Sequence, residues 1–147
     1  MDRLADALRQ ASGLTPSLMF RVVNDVGTRL WGLARAGRTA RLDRLVRAEA
    51  WIDAVLALIE LDLPMWRPCR LIYDGGEWVC SLSRHPEIPF EFDDTVDARH
   101  HTQALAILLS FVEAKRHLEE ADNLSAPIVP RVASTSTADS FCCNNFR

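Results

Sequence analysis

Between Trp66 and Ser83 the spacing of apolar residues changes from a helical period to strict alternation, and Asp74-Gly75-Gly76 sits in the middle of the alternating run. A period of two places successive side chains on opposite faces of a strand, and glycines supply the positive φ angles that a two-residue turn needs. The spacing therefore predicts a β-hairpin. With Asp74-Gly75 or Gly75-Gly76 as the loop, Cys69, Leu71, Tyr73, Trp78, Cys80 and Leu82 share one face, and Arg70, Ile72, Glu77, Val79 and Ser81 share the other. With Asp74-Gly75 as the loop, Cys69 is expected opposite Cys80. Two strands make a marginal sheet, so the hairpin needs a covering helix or a further strand.

The rest of the chain reads as helix and connector. Leu4, Ala7, Leu8 and Ala11 recur at helical spacing before the stop signal Ser12-Gly13. Thr15-Pro16 is an N-cap followed by proline at the first helical position, opening a second helix through Leu18, Val22, Val26, Leu30 and Leu33 to about Ala36. Gly37-Arg38-Thr39 is the expected break, with Thr39 capping a third helix that continues unbroken to about Leu61 through Leu42, Leu45, Val46, Ile52, Val55, Leu56 and Ile59. His85-Pro86-Glu87-Ile88-Pro89-Phe90 is an extended connector, with Phe90 and Phe92 expected to turn inward. The acidic run Asp93-Asp94-Thr95-Val96-Asp97 favours a helix start, and Ala98, His101, Leu105, Leu108, Phe111, Val112 and Leu118 supply a stripe for a last helix ending near Glu120. From Asp122 onward Ser, Thr, Ala and Pro dominate, too poor in large apolar groups to offset chain entropy. The expectation is one α+β domain over residues 1–121, with three N-terminal helices, one β-hairpin and one C-terminal helix, and a disordered tail over 122–147.

Composition narrows the function classes. Lys+Arg total 17 against 20 for Asp+Glu, a net charge of −3 that argues against a dedicated nucleic-acid or anionic-membrane binder. The most apolar run, Ala50 to Leu63, carries Asp53, Glu60 and Asp62 and falls short of the roughly 20 apolar residues of a membrane span. The first residues interrupt every apolar pair with a charge, which is not the pattern of a secretory signal, so a cytoplasmic chain is expected. Cys69, Cys80, Cys142 and Cys143 form no CxxC pair and are expected reduced there. Lys115 is the only lysine among many arginines. With that bias, the run Leu71-Ile72-Tyr73-Asp74-Gly75-Gly76-Glu77-Trp78 and the Ala104-Leu105-Ala106-Ile107-Leu108 segment resemble those of short bacterial proteins to which no activity is attached. The resemblance covers about a third of the chain.

Three groups of residues are candidates for chemistry or binding. Trp66, Tyr73 and Trp78 are large aromatics around the hairpin, suited to anchoring a second copy or another protein across an exposed strand edge. Homodimerisation through the hairpin is the favoured arrangement. Arg35, Arg38, Arg41, Arg44 and Arg47 recur every third residue and could hold a phosphate backbone, but on a helix this step spirals around the axis, and no groove-reading motif accompanies it. Asp97 and His101 stand at i, i+4, which on a helix would place carboxylate and imidazole on one face. With His100 and His85 they are candidate metal ligands. No glycine-rich phosphate loop or known nucleophile signature occurs, and Cys69 and Cys80 fall on a face expected to be buried. A small non-catalytic interaction or regulatory module without cofactor is the expectation. The alternatives are a nucleic-acid-associated protein and a metal- or small-ligand-binding protein.

Overall fold

The computed structural model describes residues 2–26, 36–88 and 94–124, with side chains omitted at 36–38 and 123–124. It shows an α+β arrangement of five helices and three strands among those residues: α1 (Asp2–Gln10), α2 (Pro16–Val26), α3 (Ala36–Arg47), α4 (Trp51–Asp62), β1 (Arg67–Asp74), β2 (Glu77–Ser83), β3 (Thr95–His100) and α5 (Gln103–Leu124). The strands form one antiparallel sheet in the order β1-β2-β3. No helix among the described residues is long and apolar enough to cross a membrane.

Local chemistry explains several boundaries. Thr15 caps α2, its Oγ1 accepting the Leu18 N–H at 3.3 Å, with Pro16 at the first helical position. Gly75 and Gly76 form the two-residue hairpin loop with φ of 59° and 92°, values that L side chains adopt only with strain.

Three expectations are corrected. The long helix from Thr39 to Leu61 is two helices, because the chain reverses through Ala48–Ala50 in a Schellman motif. The Ala50 N–H reaches the Leu45 carbonyl at 3.0 Å and the Glu49 N–H reaches the Val46 carbonyl at 3.1 Å, while Glu49 takes the left-handed position at φ 55°. Gly37 and Thr39, expected as break and cap, lie inside the first turn of α3. The segment Thr95–His100 is not the start of the last helix but a third strand, paired with β2 from Ser83↔Thr95 to Trp78↔His100. The last helix then begins at Gln103 and runs beyond Glu120 to Leu124. The second helix is described only to Val26, and Phe90, Phe92 and the tail from 125 lie outside the described residues.

The core is organised around α5. Every residue from Ala104 to Val112 is buried, so this segment is enclosed on all sides rather than along one stripe. It packs on β2 and β3 on one side and on α4 and α1 on the other. Leu58, Ile59, Leu82, Leu105, Leu108 and Phe111 are among the largest fully buried side chains, each contributing about 1.5–3 kcal/mol by area removed from water.

Candidate interaction surface

The β1–β2 register decides what the sheet shows to solvent. Tyr73 faces Trp78, Leu71 faces Cys80, Ile72 faces Val79 and Arg70 faces Ser81, while Pro68 pairs with Leu82 and the register shifts between Pro68 and Arg70. Because the loop is Gly75-Gly76 and not Asp74-Gly75, Leu71 rather than Cys69 faces Cys80, and Cys69 is the extra residue at the bulge. It is exposed, with its Sγ 3.4 Å from the Ser81 carbonyl oxygen. Leu71, Trp78, Val96 and Ala98 pack against the core from the inner face. The outer face carries Arg70, Ile72 and Asp74 on β1, the buried Val79 and Ser81 on the central strand β2, and Asp97 and Arg99 on β3.

Strand β1 is an edge of this sheet. Pro68 and the bulge occupy its first half, features that blunt an edge against pairing. The second half, Arg70 to Asp74, is regular. A two-residue loop makes Asp74 and Glu77 the hydrogen-bonded closing pair, so Ile72 and Arg70 also direct their peptide groups toward β2. The N–H and C=O of Leu71 and Tyr73 therefore point away from the sheet, and no backbone partner meets them among the described residues. Tyr73 is 62% exposed, with its ring centroid 5.4 Å from that of Trp78 at a 57° tilt. Trp66 does not join them. It is buried immediately before β1, edge-on to His117 at 6.5 Å, and is a core residue rather than a surface anchor.

Arg35 and the side chain of Arg38 lie outside the described residues; Arg41, Arg44 and Arg47 are exposed on α3. Arg41 Nη1 is 3.6 Å from Glu60 Oε2, and Arg44 Nε donates to the Ala40 carbonyl at 3.4 Å. The groove lined by Arg41, Ala57, Glu60 and Leu61 encloses about 150 Å³, below the roughly 300–1,000 Å³ of small-molecule sites.

The histidine and aspartate group does not converge. Because Asp97 stands on a strand and His101 beyond its end, the helical i, i+4 geometry is absent. His100 is buried, its Nδ1 accepting the Thr102 N–H at 2.9 Å, which fixes the turn into α5. His101 is exposed, with Nε2 3.8 Å from Glu77 Oε1, and His85 Nδ1 is 3.4 Å from Glu87 Oε1. Among the described residues no three His, Cys, Asp or Glu side chains are placed to hold a metal ion.

Burial pushes the Cys80 thiol above its ordinary pKa, a shift that the nearby Ser110 hydroxyl at 3.3 Å opposes only in part. A buried, protonated thiol is a poor nucleophile. The feature missed by reading along the chain is an ion pair between the only lysine and a charge inside the longest apolar run. Lys115 Nζ lies 2.8 Å from Asp62 Oδ2, and the two side chains are 10% and 0% exposed. No other hydrogen-bond donor reaches either Asp62 oxygen among the described residues. The pair ties the end of α4 to α5, and its signal in the sequence was the isolation of each charge among apolar neighbours. Comparison with known protein families, curated proteins and solved structures gives no match to this chain.

Proposed function

We propose that the chain is a small non-catalytic interaction module that works in the cytoplasm through the open edge of its hairpin. The observation that carries this reading is the regular stretch Arg70–Asp74, which combines outward peptide groups at Leu71 and Tyr73 with an exposed Tyr73 ring resting on Trp78. Unsatisfied edge groups bind an added strand through main-chain hydrogen bonds, and neighbouring side chains set the preference. Among the described residues His85, Asp97, His100 and His101 are not placed to hold a metal ion together, and the Cys80 thiol is buried.

The test is a photo-crosslinking phenylalanine analogue placed at Tyr73 and, for comparison, at Phe20, which is 66% exposed on α2. Irradiation in cells is expected to give a discrete protein adduct from position 73 and none from position 20. Adducts from position 20 alone would remove the reading.

A further inference from the structure

The edge just described has a charge pattern that selects its partner. On the outer face of β1 the regular stretch presents Arg70, Ile72 and Asp74, and on the inner face Leu71 and Tyr73. The segment Arg70-Leu71-Ile72-Tyr73-Asp74 is thus self-complementary about Ile72, with opposite charges at its two ends. Arg70 and Asp74 are both exposed, and neither forms an ion pair among the described residues. We infer, resting on the open-edge reading, that the partner of this edge is a second copy of the chain, paired antiparallel about a two-fold axis through Ile72.

Face and charge meet in that one register. A two-fold axis perpendicular to the sheet keeps inner side chains inner only when it passes through a residue, because an axis between residues would set each inner side chain opposite an outer one. Centred on Ile72, the arrangement places Arg70 opposite the partner's Asp74 and Ile72 opposite the partner's Ile72. Leu71 then lies opposite the partner's Tyr73, and these are the residues whose peptide groups point outward, so N–H and C=O exchange in both directions. An axis through Leu71 sets Arg70 against the partner's Ile72 and runs Asp74 into the partner's Pro68 and its bulge. An axis through Tyr73 sets Ile72 against the partner's Asp74 and leaves Arg70 against the glycine turn of the partner. All three axes satisfy face and hydrogen-bond parity, and only the one through Ile72 also sets each charge opposite its complement.

The product is a six-stranded sheet in the order β3-β2-β1 and then β1-β2-β3 of the partner, with an isologous interface. Its ladder is short, because Pro68 and the bulge end it, so the dimer is reversible rather than obligate.

The experiment uses the whole chain and reads mass by native mass spectrometry, with sedimentation to follow concentration dependence. Wild type is compared with Arg70→Asp, with Asp74→Arg, and with an equimolar mixture of the two variants. Both positions are solvent-exposed, and far-ultraviolet circular dichroism confirms that each variant keeps its fold. Wild type is expected to dimerise, and each single variant to do so about tenfold or more weakly, since opposed like charges replace opposed unlike ones at two symmetric positions. The mixture is expected to form a one-to-one heterodimer, in which every charge again meets its opposite. A wild type that stays monomeric up to millimolar concentration overturns the inference, as do variants that dimerise like wild type or a mixture with no preference for the heterodimer. If the wild type is monomeric while Tyr73 still crosslinks to a different protein, the self-pairing falls and the module reading stands. If Tyr73 crosslinks to nothing, both fall.

Discussion

Replacing Lys115 by methionine tests the energetic logic of the core most severely. The substitution keeps an unbranched side chain of similar length but removes the ammonium that sits 2.8 Å from Asp62 Oδ2. Asp62 is then a fully buried carboxylate at the end of α4, beside that helix's C-terminal carbonyls, with no other donor in reach among the described residues. The helix dipole also disfavours a negative charge there. Breaking a buried pair from one side costs about 3–5 kcal/mol. With an unfolding entropy of about 2.1 cal/mol/K per residue over the roughly 110 described residues, each kcal/mol shifts the melting midpoint by a little over about 4 °C, so Lys115→Met is expected to lower it by about 13–22 °C. Adding Asp62→Val removes the stranded charge and is expected to recover at least half of the loss, because apolar replacements of whole buried pairs are often neutral or better. Urea unfolding followed by circular dichroism, with the denaturant slope checked for constancy, gives the free energies directly. A single variant within about 1 kcal/mol of wild type would refute the reasoning, as would a double variant no more stable than the single one.

Further outcomes follow from the turns and the thiols. Glu49→Gly relieves the left-handed strain at φ 55° in the Schellman motif and is expected to stabilise the protein by about 0.5–1 kcal/mol in thermal unfolding. Gly76→Ala places a Cβ at φ 92° and is expected to cost about 1–3 kcal/mol, although open space surrounds the position, because the penalty is backbone strain. In a peptide-resolved alkylation time course of the native protein, Cys69 is expected to react readily and Cys80 only on unfolding. The raised Cys80 pKa also sets a sign. Its contribution is fully present below the ordinary thiol value of 9.0 and is lost as pH rises through the folded pKa, so stability falls on the alkaline side and Cys80→Ala flattens that slope.

Several features are settled within a few residues of themselves and were therefore legible without the fold. The Gly75-Gly76 loop, the alternation on either side of it and the Thr15-Pro16 cap depend on local dihedral preferences and short hydrogen bonds. The placement of the candidate surface followed from them in part. Tyr73 and Trp78 do meet on the hairpin, whereas Trp66, indistinguishable from them by type, is taken into the core by contacts with distant elements.

What the tertiary structure alone decided is everything settled by partners far along the chain. Thr95 to His100 closes the acidic run Asp93–Asp97 suited to a helix start and, equally, carries a period-two pattern in Val96, Ala98 and His100; pairing with β2 selects the strand, because there its peptide groups complete a ladder and its inner side chains reach α5. Glu49 reverses the chain without a glycine because α3 and α4 gain more from packing on each other than the left-handed residue costs. Lys115 and Asp62 stand far apart in sequence and are legible separately only as odd charges in apolar surroundings. Their pairing required α4 and α5 to be packed first, since an interaction that depends on desolvation cannot be read from residues still in water.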